Sequence, residues 1–442
     1  MSARVLIAGP ARSSLQGDLV LPGDKSISHR VTMLGSLAEG VTEVSGFLPG
    51  EDNLATLHMF RQMGIRTEWL NHDKTRLLIH GAGLHGLDEP ENVLEAGNSG
   101  TCVRLMAGIL AGQSFFSVVN GDASLRSRPM ERVISPLRKM GAAIDGRDSA
   151  KKLPFTIRGG ALQGIHFQSA VASAQVKSCV LFAALFAEGE TSVTEPALSR
   201  DHTENLLPVF GQDVSVHGRT VSLFPGDILR APDGCLAIPA DPSSACFFAV
   251  ASTLIARSSV RLRQVGVNPR RDGWRRILGS MGAKINLEEK ALLGSEQVAD
   301  IVVQAGNLGS ITVEKTDIVD AIDEFPALFV AAALADGEFT LTGAEELRAK
   351  ESDRIGTMAT ALNKMGVVVD QLEDGLRIQG RAELKGGVRI DACHDHRIAM
   401  AMSVAAQRAD ADIEIINAEA IATSFPDFVP MAQGLGMNVC WQ

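Results

Sequence analysis

The chain has 442 residues, which is enough for two domains that each bury a core of their own. Its formal net charge of -10 disfavours nucleic acid and anionic membranes as partners, so any anionic ligand needs a local cluster of cations. The composition, 45% hydrophobic and 21% charged, is that of an ordinary globular protein. The N-terminal segment is too short and too interrupted to predict a leader or a membrane span.

The motifs that the sequence lacks further narrow the classes of protein to which the chain could belong. The six cysteines include no C-x-x-C pair, and we expect reduced thiols in a cytoplasmic protein. The segment CHDHR at 393–397 has no further partners at ligand spacing, so no metal site is predicted. Neither a strand followed by G-x-G-x-x-G nor a G-x-x-x-x-G-K-[ST] loop occurs, which leaves dinucleotide and nucleoside triphosphate binding without support.

In chain order, the first predicted element is a strand within residues 3–23, which is expected to complete the sheet of the other domain. After it, a hydrophobic residue followed by glycine recurs six times, at intervals of 70 to 84 residues. Each pair follows an amphipathic stretch and precedes a short, often β-branched run, a pattern that predicts a helix, a glycine just beyond its C-terminus, and a strand. The pairs are Met63-Gly64, Met140-Gly141, Phe210-Gly211, Met281-Gly282, Met365-Gly366 and Leu435-Gly436.

Upstream of each pair lies a second predicted helix, which is rich in small and apolar residues on nearly every face. Such helices are typically buried among neighbours. Their segments are SISHRVTMLGSLAEG, SGTCVRLMAGILAG, SAQVKSCVLFAALFAEG, SSACFFAVASTLIARSS, EFPALFVAAALADG and DHRIAMAMSVAAQRAD. A unit of about seventy residues, with two helices and several short strands, is therefore repeated six times. We expect three units in each of two domains, one spanning residues 24–238 and the other 1–23 plus 239–442.

Polar residues gather where the predicted helices begin. Serine, asparagine and aspartate there are good N-caps. Cations in a first turn oppose the helix dipole, and a helix built only for stability would not carry them. Either these cations form scattered surface pairs, or several helix ends share one multiply charged anion; the second interpretation is the one we favour. The cations are Lys25, Arg128, Lys350, Arg354 and Arg397.

Two acids stand among these cations. Asp323 precedes a wholly apolar helix, and Glu351 lies between Lys350 and Arg354. Carboxylates in a cationic cleft suit proton transfer. The residues alone leave another interpretation equally open, in which Asp323 is an N-cap and Glu351 forms an ordinary helical ion pair.

Eight segments are spread over nearly the whole chain: LPGDKSISHR, GNSGTCVRLM, RSRPM, SAQVKS, DEFPAL, EELRAKESDRI, DHRIAM and SFPDF. They resemble signature segments of the 3-phosphoshikimate 1-carboxyvinyltransferase (5-enolpyruvylshikimate-3-phosphate synthase) family. The resemblance implies an α/β fold of two similar domains, each made of three βαβαββ units (an inverse α/β barrel), joined by a double-stranded hinge with the active site in the cleft between them. It implies transfer of enolpyruvyl from phosphoenolpyruvate to the 5-hydroxyl of shikimate 3-phosphate, without metal or organic cofactor, by a monomer.

The resemblance also implies the site residues. The catalytic residues would be Asp323, which takes the proton of the 5-hydroxyl, Glu351, which acts on the enol methylene, and Lys25. The contacts to shikimate 3-phosphate would be Lys25, Ser26, Arg30, Ser173, Ala174, Gln175, Asp323 and Lys350. The contacts to phosphoenolpyruvate would be Lys25, Asn98, Gly100, Arg128, Arg354 and Arg397. Some family members carry lysine where this chain has Thr423, so we expect that a phosphoenolpyruvate contact is either missing here or supplied from elsewhere. Glyphosate is expected to compete with phosphoenolpyruvate, since glycine at position 100 leaves room for it.

Two alternatives remain at this stage. The related enolpyruvyl transferase that acts on UDP-N-acetylglucosamine would need a mobile-loop cysteine as general acid, whereas Cys102 falls inside a predicted buried helix. A non-catalytic anion-binding protein of the same fold would need the cations alone, and would not need Asp323 and Glu351.

Overall fold

The computed structural model describes residues 4–226 and 228–442, which form two compact units. The first-half unit contains Gly23–Ile238 together with Leu293–Ser295. The second-half unit contains the described residues up to Pro22, Pro239–Leu292 and Glu296–Gln442. No helix in the described ranges is both long enough and apolar enough to cross a membrane.

The helices of the described chain are α1 (Lys25–Leu37), α2 (Glu51–Gln62), α3 (Gly100–Ala111), α4 (Glu131–Lys139), α5 (Ala174–Ala184), α6 (His202–Leu206), α7 (Pro242–Leu254), α8 (Gly273–Ser280), α9 (Lys315–Asp320), α10 (Phe325–Ala333), α11 (Arg354–Lys364), α12 (His396–Ala406), α13 (Ile421–Ser424) and α14 (Phe428–Leu435). Short 3-10 helices occupy Leu125–Ser127, Leu207–Phe210, Glu345–Ala349 and Ala418–Ala420.

The strands are β1 (Leu6–Ala8), β2 (Gln16–Val20), β3 (Glu39–Ser45), β4 (Arg66–Trp69), β5 (Arg76–Ala82), β6 (Leu94–Glu95), β7 (Phe116–Asn120), β8 (Ala143–Gly146), β9 (Phe155–Arg158), β10 (Leu162–Gln163), β11 (His166–Gln168), β12 (Ala187–Glu188), β13 (Thr191–Thr194), β14 (Ser215–His217), β15 (Thr220–Leu223), β16 (Cys235–Ala237), β17 (Ser259–Gly266), β18 (Lys284–Leu293), β19 (Glu296–Gln304), β20 (Glu338–Leu341), β21 (Val368–Gln371), β22 (Leu376–Gln379), β23 (Arg389–Asp391), β24 (Ile413–Ile416) and β25 (Val439–Trp441).

The sixfold repeat is visible in the sheets. In each repeat, the strand that follows the buried helix pairs antiparallel with a second strand. This second strand also pairs antiparallel with the strand that follows the other helix of the repeat. In most sheets a fourth strand adds in parallel on the outer side. The strand orders are β16-β3-β5-β4, β6-β7-β9-β8, β11-β13-β15-β14, β18-β19-β17-β2, β20-β22-β21 and β23-β24-β1-β25. This one pattern confirms the predicted six units and the α/β fold class.

The glycine pairs have the predicted geometry. The glycine of each pair has a positive φ, between +81° and +105°, directly after its helix and before a strand. L residues with a side chain rarely adopt this conformation, so glycine ends the helix at low conformational cost. A helix, a left-handed residue and a strand thus recur at each of the six predicted places.

The N-terminal segment differs from the single strand that the sequence predicts. It forms two short strands in two sheets: β1 pairs antiparallel with β24 and β25, and β2 pairs in parallel with β17. Pro10 and the residues after it interrupt the run between them. In the last sheet, β1 lies between β24 and β25, a position that a strand of the same repeat occupies in the other sheets. The start of the chain therefore completes the sixth repeat.

Each of the two compact units has one continuous apolar core around its three small-residue helices. These helices are α1, α3 and α5 in the first-half unit and α7, α10 and α12 in the second-half unit. The packing between α3 and α5 is especially close. A Cβ built on Gly108 would lie 2.1 Å from the carbonyl oxygen of Cys179, which is less than any real contact. Glycine is therefore required at this crossing, and the two helices approach backbone to backbone.

Candidate active site

Three helix N-termini lie together in the first-half unit. Asp24, Ser99 and Ser173 are the N-caps of α1, α3 and α5, and each side chain accepts a hydrogen bond from a backbone N–H of the first turn. Arg30 of α1 donates to Ser178 of α5 at 2.7 Å. Beyond these caps, the first turns still direct N–H groups and positive dipole ends outward, an arrangement that attracts anions.

Gln175 connects the beginnings of α3 and α5. Its side-chain oxygen accepts from Arg104 Nη1 at 2.7 Å, and its amide nitrogen donates to Thr101 Oγ1 at 3.0 Å. Arg104 also donates to the carbonyl of Pro129 at 3.2 Å. The set of predicted site residues omits Arg104, which lies in the second turn of α3.

Gly100, Asn98 and Arg128 form the next part of this edge. Arg128 donates to Asn98 Oδ1 at 2.6 Å and to Ser124 Oγ at 3.2 Å, and Asn98 donates in turn to Asp122 at 2.7 Å. A Cβ on Gly100 would lie 2.9 Å from Nη1 of Arg104 and 3.3 Å from Nη1 of Arg128. Two guanidinium groups therefore lie against the side of Gly100 where other residues carry a methylene.

Lys25 and Arg30 are held differently from each other. Lys25 pairs with Asp52 at 2.5 Å, and its side chain remains 17% exposed. Arg30 is 3% exposed, and it donates to Thr203 Oγ1 at 2.7 Å and to the carbonyl of Ser26 at 2.9 Å, besides its bond to Ser178. Arg30 therefore braces α1 against neighbouring elements, in addition to any contact with a ligand.

In the second-half unit, three buried acids stand at the beginnings of the small-residue helices. Asp241, Glu324 and Asp395 are the N-cap residues of α7, α10 and α12. Each has a buried arginine partner at 2.9 to 3.5 Å, and these partners are Arg271, Arg397 and Arg354 in the same order. A buried carboxylate requires such a partner, because an unpaired buried charge is strongly destabilising.

Asp323 and Glu351 lie on the same guanidinium. Arg354 Nη1 donates to Asp323 at 3.2 Å, and Nη2 donates to Glu351 at 2.6 Å. Arg354 Nε and Nη2 reach both oxygens of Asp395, at 2.9 and 3.3 Å, which fixes the plane of the guanidinium. Four of the five N–H groups of Arg354 are thus directed at carboxylates. Burial alone would lower its pKa, but Asp395, Glu351 and Asp323 together raise the pKa well above its usual value.

Lys350 and Arg397 complete this group. Lys350 Nζ lies 3.2 Å from Asp323 Oδ1, and Arg397 Nη1 donates to the backbone carbonyl of Asp323 at 2.7 Å. The predicted residues Asp323, Lys350, Glu351, Arg354 and Arg397 therefore form one cluster. The N-cap interpretation of Asp323 is wrong, because Glu324 holds that position and Asp323 faces cations instead.

The sequence predicts that all five cations lie in the first turns of helices, but two of them do not. Arg128 has an extended backbone (φ -74°, ψ 146°), because a residue before proline avoids the helical region, and α4 begins only at Glu131. Lys350 is also extended (φ -87°, ψ -155°). Here Asp353 caps Gly356, so α11 begins at Arg354. Both cations therefore lie just ahead of their helices.

Two other features lie apart from these clusters. Thr423, in the short helix α13, donates to the carbonyl of Ala420 at 2.7 Å, which satisfies its hydroxyl locally. A groove of about 740 Å³ in the second-half unit is lined in part by Arg12, Arg257 and Arg408. This groove lies at the C-terminal ends of α7 and α12 and contains none of the predicted site residues.

Comparison with known proteins places the chain in a family. The sequence model of the family described as EPSP synthase (3-phosphoshikimate 1-carboxyvinyltransferase) matches residues 10–431. A 3-phosphoshikimate 1-carboxyvinyltransferase of Methylococcus capsulatus is 51% identical over 436 residues, covering 98% of each chain. The solved structure of EPSP synthase from Acinetobacter baumannii matches with a TM-score of 0.88 and 45% identity, covering 99% of this chain and 100% of that one.

A more distant structure shares only the fold. The enolpyruvyl transferase NikO from Streptomyces tendae matches with a TM-score of 0.80 at 16% identity, covering 100% of this chain and 99% of that one. The family match, by contrast, rests on high identity over nearly the full length of both chains. This chain belongs to the EPSP synthase (3-phosphoshikimate 1-carboxyvinyltransferase) family.

Proposed function

We propose that the chain transfers the enolpyruvyl group of phosphoenolpyruvate to the 5-hydroxyl of shikimate 3-phosphate and releases phosphate, in aromatic amino-acid biosynthesis. Family membership supports the activity. One observation on this chain's own residues carries the assignment of chemistry, namely that Asp323 and Glu351 both bind the buried guanidinium of Arg354. Ligand binding alone needs cations, whereas two carboxyl groups held close together can serve as a proton acceptor when ionised and as a proton donor when protonated.

The first-half unit supplies most of the proposed substrate contacts. The proposed contacts to shikimate 3-phosphate are Lys25, Ser26, Arg30, Ser173, Ala174, Gln175, Asp323 and Lys350. Lys25, Asn98, Gly100 and Arg128 would hold phosphoenolpyruvate, together with Arg354 and Arg397. The bond network among Asn98, Arg128, Arg104 and Gln175 supports this division, because it fixes two guanidinium groups beside Gly100. Arginine forks match phosphate and carboxylate groups in shape as well as charge.

The proton transfers follow from the reaction. In the addition step the 5-oxygen bonds to C2 of phosphoenolpyruvate, Asp323 takes the hydroxyl proton, and C3 receives a proton from Glu351. This step gives a tetrahedral adduct. In the elimination step C3 returns a proton to Glu351, the carbon–carbon double bond forms again, the bond from C2 to the phosphate oxygen breaks, and the departing phosphate takes the proton held by Asp323, which restores both carboxyl groups. Lys350 and Arg354 lie 3.2 Å from Asp323 and would stabilise the negative charges that change during these steps.

The geometry weighs against the UDP-N-acetylglucosamine transferase. That enzyme would need an accessible cysteine acid, but Cys102 lies inside α3 and is fully buried. Burial raises the pKa of the Cys102 thiol to about 12, so it holds its proton too tightly to be a useful acid near neutral pH. We also propose that the protein is a monomer and that it acts in the cytoplasm. Its free cysteines, three of them exposed, agree with a reducing compartment.

Phosphate release tests the proposal directly. The purified protein is mixed with shikimate 3-phosphate and phosphoenolpyruvate in a buffer containing a metal chelator, and phosphate is measured over time. We expect release only when both substrates are present. Release with UDP-N-acetylglucosamine in place of shikimate 3-phosphate would assign the other transferase. Binding of both anions by calorimetry without release in any mixture would indicate a non-catalytic protein.

A further inference from the structure

A buried ion cluster lies beneath the beginning of α5. Lys177 is 1% exposed, and its ammonium group pairs with Glu195 Oε2 at 2.8 Å and with Glu204 Oε1 at 2.7 Å. Glu195 is 2% exposed and Glu204 is 7% exposed. Burying three ionised groups costs desolvation energy, and packed apolar residues would stabilise a core at least as well. A role besides stability therefore has to be sought in what these groups contact.

Glu195 is the member of the cluster that reaches the proposed substrate site. Its Oε1 accepts from the backbone N–H of Ser173 at 3.0 Å and from the hydroxyl of Ser199 at 2.7 Å. Its Oε2 accepts from the backbone N–H of Ser199 at 3.4 Å and faces Lys177. Both carboxylate oxygens are thus used twice, and they connect the start of α5 to the loop before α6.

Glu204 differs from Glu195 in this respect. Its Oε1 faces Lys177, and its buried Oε2 has no hydrogen-bond partner among the described residues. The hydrogen bonds that Ser173 and Ser199 donate to this cluster go to Glu195 and not to Glu204. The two glutamates therefore share one lysine and a buried setting, but only Glu195 holds the backbone from which Ser173, Ala174 and Gln175 extend.

We propose that Glu195 is a positioning residue for shikimate 3-phosphate, which it serves by fixing the backbone of Ser173 and the Ser199 loop in the conformation that binds the substrate. The inference rests on the proposed function, because it takes the Ser173–Gln175 segment as part of that substrate's site. Glu195 itself would not touch the substrate, because both of its carboxylate oxygens are bonded to Ser173, Ser199 and Lys177. Its contribution is the geometry of the donors around it.

Glu195→Gln and Glu204→Gln form a matched pair of variants. A glutamine at 195 offers one acceptor oxygen where two are needed, so its NH2 group would face the N–H of Ser173 or the ammonium of Lys177. A glutamine at 204 can place its oxygen toward Lys177 and its NH2 where Oε2 now makes no bond. Steady-state kinetics with each substrate varied, calorimetric titration with shikimate 3-phosphate, and thermal denaturation are measured for both variants and the wild type.

We expect Glu195→Gln to raise the KM and Kd for shikimate 3-phosphate about tenfold or more, which corresponds to about 1.4 kcal/mol. The KM for phosphoenolpyruvate should change less than about threefold, and Glu204→Gln should leave both KM values within about twofold. Unchanged affinity in a folded Glu195→Gln variant would overturn the proposal. Equal losses in both variants would also overturn it, because the effect would then run through Lys177.

A folding failure would still leave a test. Glu195→Asp keeps the charge and both oxygens but withdraws them by one methylene, so we expect the same selective loss for shikimate 3-phosphate, and wild-type affinity would refute the idea. The wild-type titration separates this inference from the proposed function. If the wild type does not bind shikimate 3-phosphate, the proposed function fails. If the wild type binds it and the variants at Glu195 bind it equally well, only the role of Glu195 fails.

Discussion

Gly100→Ala should disturb two arginines at once, and the size of the disturbance follows from the geometry. The new Cβ would lie 2.9 Å from Nη1 of Arg104 and 3.3 Å from Nη1 of Arg128. An ordinary carbon–nitrogen contact needs about 3.5 Å, so the Arg104 group has to move by about 0.6 Å and the Arg128 group by a few tenths of an ångström. The bond from Arg104 to Gln175, now 2.7 Å, would lengthen toward the limit of a hydrogen bond.

A displaced Arg128 would weaken its proposed charge-assisted hydrogen bond to phosphoenolpyruvate, and the loss of one such bond costs about 1.5–3 kcal/mol, or about ten- to a hundredfold in affinity. We therefore expect the KM for phosphoenolpyruvate to rise by about tenfold. If glyphosate competes with phosphoenolpyruvate, as the family resemblance implies, its inhibition constant should rise by a larger factor, because the methyl group would fill the room that glycine at position 100 is expected to leave for it. Steady-state kinetics over both concentrations measure these constants.

Gly160→Ala is the matched control for this experiment. A Cβ at Gly160 meets no atom within 4 Å, and its φ is not in the left-handed region. The control variant should keep both constants of the wild type. The steric reasoning is refuted if Gly100→Ala binds phosphoenolpyruvate and glyphosate as the wild type does, or if Gly160→Ala shows the same losses.

Three further predictions concern buried and acidic groups. Asp323→Asn and Glu351→Gln should each lower kcat by about a hundredfold or more while substrate binding, measured by calorimetry, stays within about tenfold, and retained turnover in both would refute their roles. Burial, then the neighbouring cations, hold the pKa of His29 well below 6.5, so the unfolded chain binds a proton that the folded one does not, and stability should fall as pH drops below about 6.5. In urea titrations at pH 7.5 and 5.5, His29→Asn should lose less stability between the two than the wild type, and equal losses would contradict the assignment. Lys177→Met leaves its two carboxylate partners buried without a cation and should destabilise the protein by about 3–5 kcal/mol in urea denaturation; a change below about 1 kcal/mol would show that the ion cluster is not needed for folding.

The repeat could be predicted from sequence because its signals are local. A glycine with positive φ after an amphipathic stretch is specified by a few neighbouring residues, and so is an N-cap such as Ser173. The cations near helix starts were recognisable for the same reason. Even there, the error on Arg128 came from giving less weight to a local rule, the effect of Pro129 on the residue before it, than to the repeat pattern.

The buried polar partners could not be predicted, because they come from distant parts of the chain. Lys177 lies in the first turn of the apolar helix α5, and its partners Glu195 and Glu204 belong to later parts of the chain whose position depends on the fold. Asp323 likewise looks like a cap in sequence. Its pairing with Arg354 depends on where α10 and α11 begin in space. No spacing rule on a single sequence encodes such pairs.

The missing side chain of Gly108 has a consequence for the spacing of the helix starts. Because α3 and α5 touch backbone to backbone there, the distance between the two helix axes is set by atoms that do not change rotamer. The beginnings of the same helices, tied by Gln175, inherit that fixed spacing. Gly108 thus sets the spacing of α3 and α5 about two turns away from the proposed substrate contacts at their N-termini. Any larger residue at this position would widen the gap between Gly100 and Gln175 without touching either of them.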